Sequence, residues 1–134
     1  MYRLLAVLSL ALFLGPVANA EEAVTGRVTL APELAERADP GHTVFIFARA
    51  VQGPRMPLAI LRAHVSDLPL DFRLDDSQAM TPAARLSGFD EVYVIARISS
   101  YGDAQARSGD MEGTSEAISP GTHDVDVVID KVVP

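Results

Sequence analysis

The sequence predicts an all-β domain built as a two-sheet sandwich of about seven short strands, with one or two short helical turns. Apolar and polar residues alternate with a period of two in several short segments, which is typical of half-buried strands. Proline and glycine mark turns between these segments. Six or seven short strands at this spacing favour a sandwich.

The first elements follow from this pattern. Residues 24–30 alternate, with valine and leucine on one face and threonine and arginine on the other, and predict a strand. Residues 31–39 have a proline near their start and helix formers after it, which predicts one helical turn. Residues 43–51 are the most apolar segment after the N-terminal region and are rich in β-branched and aromatic side chains. They predict a central strand.

The next segments predict an antiparallel meander. Residues 58–65 and 70–74 are strand-like and are separated by a turn that contains a proline. Residues 82–86 predict a short helix capped by Thr81, with proline at its first position. Residues 91–99 repeat the apolar alternation of the central strand.

The last part of the sequence predicts a loop and a final strand. Residues 100–122 are rich in Gly, Ser, Asp and Glu, so we expect a long surface loop with a short edge strand near residues 113–118. Residues 123–133 alternate again and predict the closing strand. Arg49 and Arg97 lie in similar strand segments, and we expect both to emerge at a polar edge with their stems on apolar surface.

The N-terminus predicts a cleaved signal peptide over residues 1–20. One arginine precedes an apolar run that is shorter than the about 20 residues needed to span a bilayer, and Ala18, Asn19 and Ala20 give the small-x-small pattern of a cleavage site. An uncleaved anchor is the alternative. Residues 21–134 are then expected to be one secreted domain in the periplasm, without stable membrane insertion.

Charge and cysteine content exclude several kinds of function. Without Arg3, the eleven basic side chains become ten against eighteen acidic ones, an excess of eight negative charges. Nucleic acid and anionic lipid need clustered Lys and Arg, so neither is an expected partner. The chain has no cysteine, which excludes disulfides, thiolate metal sites and covalent haem attachment to this chain.

No catalytic motif emerges. His42, His64 and His123 are widely spaced and lack the grouping of a zinc site. Ser66, His64 and Asp67 can be assembled into a triad on paper, but no glycine pattern of a nucleophile elbow surrounds a serine. The sequence therefore predicts a protein without enzymatic activity and without a cofactor.

Two clusters allow a metal-binding alternative. The aspartates Asp75 and Asp76 lack the surrounding pattern of a calcium loop, and a capped turn explains them better. Methionines in proline-flanked loops are candidate soft ligands for Cu(I). Methionine that fills an irregular gap under the loops is the competing interpretation. The candidate copper ligands are Met56, Met80, Met111 and His64.

Several short sequence segments together resemble one known protein family. The sequence is similar to the C-terminal periplasmic domain of the cytochrome c-type biogenesis protein H family, also called CcmI or CycH. The likeness extends from about Val24 to Val133. The segments that carry it are residues 43–50, 53–59, 65–69, 74–80, 89–92, 96–99, 109–110 and 112–113.

The resemblance implies an immunoglobulin-like sandwich that follows a tetratricopeptide-repeat region. It also implies a part in delivering apocytochrome c to the haem-ligation machinery, and it transfers no catalytic residue. The sequence has no two-helix anchor and no repeat region, so we expect a stand-alone secreted domain.

The leading hypothesis is a periplasmic interaction module that is accessory to c-type cytochrome biogenesis or related assembly. Its expected partner is a periplasmic protein, with apocytochrome c and cytochrome maturation components as candidates. Stiff loops on a scaffold lose less entropy on binding, and two proline-marked loops have this character. A copper-binding protein is the alternative. The candidate partner-binding residues are Pro54, Arg55, Met56, Pro57, Asp75, Asp76 and Met80.

Overall fold

The computed structural model describes residues 22–134, so the predicted signal peptide over residues 1–20 lies outside the described part. The described chain forms two packed β-sheets joined by loops and a few short helical turns. One turn is α-helical (α1, Pro32–Ala35) and three are 3-10 turns (Val65–Asp67, Asp76–Gln78 and Leu86–Gly88). The strands are β1 (Val24–Leu30), β2 (Thr43–Ala50), β3 (Ala59–His64), β4 (Leu70–Leu74), β5 (Val92–Ser99), β6 (Met111–Thr114), β7 (Val125–Ile129) and β8 (Lys131–Val132).

The smaller sheet has three strands in the order β4-β1-β7. β1 runs antiparallel to β4, with Val24 opposite Leu74, and parallel to β7, with Gly26 opposite Val125. The first and the last long strands of the described chain are therefore direct neighbours.

The larger sheet has five strands in the order β3-β2-β5-β6-β8, and all of its pairs are antiparallel. β2 lies between β3 and β5, which confirms the central strand predicted from residues 43–51. β8 pairs with the outer side of β6 only at Met111 and Glu112, whereas Gly113 and Thr114 pair with β5 alone. The edge strand predicted near residues 113–118 is therefore confirmed at Gly113 and Thr114, but the strand begins earlier, at Met111.

Two local predictions are wrong. β3 pairs with β2, but β4 joins the other sheet, so the meander ends at the turn Val65–Asp67. Alternation defines a strand and its faces but not its partner, which depends on contacts far apart in sequence. The predicted helix over residues 82–86 is a hydrogen-bonded turn, in which the Ala84 amide donates to the Thr81 carbonyl. Thr81 does cap it, because its hydroxyl oxygen accepts from the Ala83 amide at 3.0 Å.

The main core lies between the two sheets. Alternate residues of the central strands face inward, as predicted, while Phe45, Phe47 and Ile95 form a second buried cluster on the outer face of the five-stranded sheet. Arg97 is on this outer face and is only 8% exposed, so its predicted place at a polar edge is wrong. The loop after β5 covers it, and the Ala104 carbonyl accepts a hydrogen bond from its guanidinium at 2.7 Å.

The sheets approach each other closely at β6 and β7. A Cβ atom on Gly113 would lie 1.9 Å from the Val128 carbonyl oxygen, so only glycine fits at this point of β6. Just after β7 the Asp130 amide donates to the Glu112 carbonyl at 3.2 Å, and the chain passes into β8 of the other sheet. Within residues 22–134, no helix is long and apolar enough to cross a membrane.

Candidate functional site

Two connections meet at one end of the sandwich and form the candidate site, which we name the loop end: residues 51–58 between β2 and β3, and residues 75–91 between β4 and β5. The Val51 amide donates to the Glu91 carbonyl at 3.1 Å. A Cβ atom on Gly53 would lie 2.9 Å from Cε1 of Phe89, and this glycine has a φ of 138°. The two predicted binding segments therefore belong to connections that touch each other.

The first connection has an exposed part and an anchored part. Pro54 and Arg55 are exposed, whereas Met56 and Pro57 are partly buried. Met56 packs against the main core, and the next residue, Leu58, is fully buried. The interpretation of Met56 as a side chain that fills a gap under the loops agrees with this packing.

Asp75 is a structural residue of the second connection. Its carboxylate accepts hydrogen bonds from the Ser77 amide at 2.9 Å, from the Ser77 hydroxyl, and from Arg73 Nε at 3.1 Å. The Gln78 side chain accepts from the Asp75 amide at 2.9 Å and completes the capped turn. The Ser77 hydroxyl bond is the main cause that lowers the Asp75 pKa, and the Ser77 amide and Arg73 lower it further against the opposing effect of burial.

Asp76 ties the two ends of the same connection together. One of its carboxylate oxygens accepts from the Ser87 amide at 3.0 Å and the other accepts from the Ser87 hydroxyl. The sequence interpretation of these aspartates as a capped turn agrees with this geometry. Their carboxylates are engaged within the loop and keep it ordered. They therefore have limited capacity to accept hydrogen bonds from a partner.

The exposed part of the second connection is Met80 with its neighbours. Met80 is 60% exposed, which is unusual for a large apolar side chain. Ala84 and Leu86 are buried in the main core and hold the loop down on either side of Arg85, which is exposed. The loop end thus presents a methionine, the two cations Arg55 and Arg85, and the two anions Asp90 and Glu91.

A small hollow of about 140 Å³ lies beside the first connection. Pro54 and Arg55 line one side, and Arg49 and Tyr93 line the other. Arg49 and Tyr93 are opposite each other in β2 and β5. Sequence reasoning missed both as site residues, because alternation places them on the outer face but cannot give the register that brings them to the loop end.

The four candidate copper ligands are not gathered in one place. Met111 is 7% exposed in the core, on β6, whereas His64 ends β3. β5 and β2 lie between these two strands. Met56 and Met80 belong to the loop end. Among residues 22–134, no group of three His, Asp or Glu side chains is arranged to hold a metal ion.

The fold and the loop end define a β-sandwich domain with a candidate recognition surface at one end of its sheets. The chain belongs to the cytochrome c-type biogenesis protein H Ig-like domain family, whose model matches residues 24–130. This match confirms the family resemblance and the immunoglobulin-like sandwich predicted from the sequence.

Two curated relatives and one solved structure are similar to this chain. The cytochrome c-type biogenesis protein CycH of Pseudomonas aeruginosa is 41% identical over 96 residues, which are 72% of this chain and 23% of that protein. An uncharacterized protein of Aquifex aeolicus is 30% identical over 109 residues, covering 81% of this chain and 71% of that protein. An alternative pilotin of the Vibrio cholerae type II secretion system has a TM-score of 0.46 and 18% identity, covering 81% and 96% of the two chains.

Proposed function

We propose that this chain is a non-enzymatic periplasmic binding domain, accessory to c-type cytochrome biogenesis, that contacts a protein partner through the loop end. The observation that carries the proposal is the family match over residues 24–130, together with the relative whose name assigns it to cytochrome c-type biogenesis. The partner class is apocytochrome c or a component of the maturation machinery. The matched region is 23% of CycH, so the role proposed is that of one module.

Compartment and chemistry support a binding role. The proposed signal peptide over residues 1–20 directs export, and a chain without cysteine folds in an oxidising compartment without competing disulfides. Among the described residues, the loop end has no grouping of nucleophile, base and metal ligands of the kind that a catalytic site needs. Its exposed side chains include Met80, Arg55 and Arg85, and methionine and arginine are enriched in protein interfaces.

The rigidity of the loop end supports its use as the contact surface. Asp75 and Asp76 hold the second connection through five side-chain acceptor bonds to Arg73, Ser77 and Ser87. A surface ordered in advance loses less conformational entropy when a partner binds. Met80 projects from this ordered connection and Arg55 projects from the neighbouring first connection. These are the side chains that we expect a partner to contact.

A genetic experiment tests the assignment to cytochrome biogenesis. The gene is deleted in its natural host, and covalently bound haem is measured in membrane and periplasmic fractions after denaturing electrophoresis. We expect lower c-type cytochrome levels and their recovery when the wild-type gene is returned. Unchanged levels under conditions that demand these cytochromes would contradict the assignment.

A binding experiment tests the surface. Arg55→Ala with Met80→Ala removes two exposed side chains without opening the core, whereas a change at Met56 would also disturb packing. Arg37→Ala with Tyr101→Ala is the matched control, because it removes one exposed arginine and one exposed large side chain elsewhere. Titration of purified apocytochrome c or maturation proteins should show weaker binding for the first pair alone. Equal affinity of both variants and the wild type would exclude the loop end.

A further inference from the structure

The edge strand β3 leaves part of its backbone without a hydrogen-bonding partner. The Val65 amide donates to the His42 carbonyl at 3.0 Å, which fixes the alternation of the β2–β3 ladder. In an antiparallel pair every second residue points its N–H and C=O away from the neighbouring strand. These residues are Ile60, Arg62 and His64. The His64 amide donates to Asp67 at 2.9 Å, but within residues 22–134 the Ile60 and Arg62 amides have no acceptor.

A groove runs beside this free edge. It has a volume of about 600 Å³ and lies between β3 and β4, the edge strands of the two sheets. Leu61 and Ala63 line one wall, and Leu70 and Phe72 line the other. The groove also has a polar lining that includes Asp67, Asp71 and Arg73. Side chains of a strand added next to β3 would alternate between this groove, beside its apolar residues, and the outer face of the sheet.

The charge at the outer face indicates which strand would fit. Arg62 is exposed, and its guanidinium lies 5.1 Å from the centre of the Phe45 ring. Among the described residues, no carboxylate lies within 4.0 Å of the Arg62 or Arg49 guanidinium. The arginines on β1 and β4 are paired instead, Arg27 with Asp71 at 2.9 Å and Arg73 with Asp75 at 3.1 Å. Lys131 on the edge strand β8 is also exposed, with no carboxylate within 4.0 Å among the described residues, but β8 has only two residues. The longer edge strand β3 combines an unpaired cation and free backbone with the groove.

We propose that β3 binds an extended peptide segment as an added sixth strand, and that this segment alternates apolar and acidic side chains. Its apolar side chains enter the groove beside Leu61, and its acidic side chains face Arg62. Pairing with a second copy of this chain is disfavoured, because a symmetric pair centred on Arg62 places two guanidinium groups opposite each other. This site neighbours the loop end, because the turn Asp76–Gln78 contacts β3, but it does not depend on the cytochrome role.

The test uses labelled synthetic peptides and fluorescence anisotropy. One short peptide alternates valine with glutamate, a second alternates valine with lysine, and a third is the glutamate peptide with alternate backbone nitrogens methylated. We expect saturable binding of the glutamate peptide and binding weaker by about tenfold for the other two, because one loses the charge match and the other loses backbone donors. Equal binding of the methylated peptide would overturn strand addition.

A charge reversal on the protein tests directly whether Arg62 sets the charge preference for the peptide. Arg62→Glu should reverse the preference, so that the lysine peptide now binds more tightly than the glutamate peptide. Arg37→Glu, an equal charge change on the α1 side of the molecule, should leave the preference unchanged. An unchanged preference in Arg62→Glu, with a far-ultraviolet circular dichroism spectrum like that of the wild type, overturns the proposal.

Amide NMR of the wild type locates the peptide without any variant. The glutamate peptide should shift the Ile60 and Arg62 amide signals most. Largest shifts at Asp71 and Arg73 would place the peptide on β4 and overturn the assignment to β3. Signal broadening that grows with protein concentration in the absence of peptide would instead indicate self-pairing, which also contradicts it.

Discussion

Arg97 and Glu112 form an ion pair across β5 and β6, with Nε and Nη2 of the arginine both 2.9 Å from Oε1 of the glutamate. The arginine side chain is 10% exposed and the glutamate side chain 30%. The guanidinium also lies 5.3 Å from the centre of the Phe47 ring and donates to the Ala104 carbonyl. This pair therefore joins the outer face of the five-stranded sheet to the loop that follows β5.

Glu112→Gln should destabilise the domain by about 1–3 kcal/mol, because it leaves a nearly buried guanidinium without its carboxylate. Urea unfolding followed by circular dichroism measures this free energy. Asp71→Asn is the matched control, since it breaks the Arg27–Asp71 pair, whose side chains are 55% and 75% exposed. We expect little change in the control, because solvent screens exposed pairs. Equal losses in both variants would contradict the structural role of Glu112.

Gly113→Ala should cost about 3 kcal/mol of unfolding free energy, because the new Cβ atom meets the Val128 carbonyl oxygen and forces the sheets apart. Gly88→Ala is the control, since a Cβ atom there meets nothing within 4 Å. The control should keep the wild-type urea midpoint. A Gly113→Ala protein as stable as Gly88→Ala would show that β6 and β7 are not in close contact.

Ser77→Ala should weaken the domain at neutral pH by about 1 kcal/mol, and this difference should shrink in acid. The Ser77 hydroxyl lowers the Asp75 pKa below its ordinary value of 3.8 in the folded state. A lowered folded pKa stabilises the fold above the ordinary value, and this contribution is lost as the pH falls through the folded pKa.

Urea midpoints measured from neutral pH down to about pH 3 test this sign. Ser66→Ala, a change in another exposed 3-10 turn, should give a difference from the wild type that does not vary with pH. A Ser77→Ala difference that grows in acid would contradict the role assigned to Asp75.

Leu86→Ala should loosen the second connection of the loop end. The side chain is fully buried, so we expect a loss of about 2–4 kcal/mol in unfolding free energy. It should also speed tryptic cleavage after the neighbouring Arg85, measured by mass spectrometry under native conditions. Leu34→Ala in α1 removes a leucine that is 6% exposed. This control should reduce stability without increasing cleavage after Arg85. Preferential cleavage after Arg85 in both variants would contradict the role of Leu86 in holding this connection in place.

Most strands could be predicted from the sequence, because alternation is a local property. The single closing strand predicted over residues 123–133 is wrong, since it is divided into β7 and β8, which belong to different sheets. Val125, Val127 and Ile129 occupy alternate positions of this segment, and they are 7%, 1% and 0% exposed. The partner of β4 could not be predicted, because the pairing of Leu70 with Val28 depends on residues far away in the chain.

The candidate site was predictable only in part. Proline and acidic residues identified the two connections and favoured a capped turn at Asp75 and Asp76, yet the sequence did not identify Ser87 as the partner of Asp76. It also did not reveal the free edge at Arg62, since which backbone groups remain unpaired depends on the sheet order. Arg97 was misplaced for a similar reason, because its cover is a loop whose path has no periodic pattern.

The pairing of Gly26 in β1 with Val125 in β7 has a consequence for folding during synthesis. The strand that completes the smaller sheet leaves the ribosome after nearly all of the others. Until β7 is available, the strands made earlier cannot bury all of their apolar side chains. The nascent chain should therefore need chaperones until β7 pairs with β1.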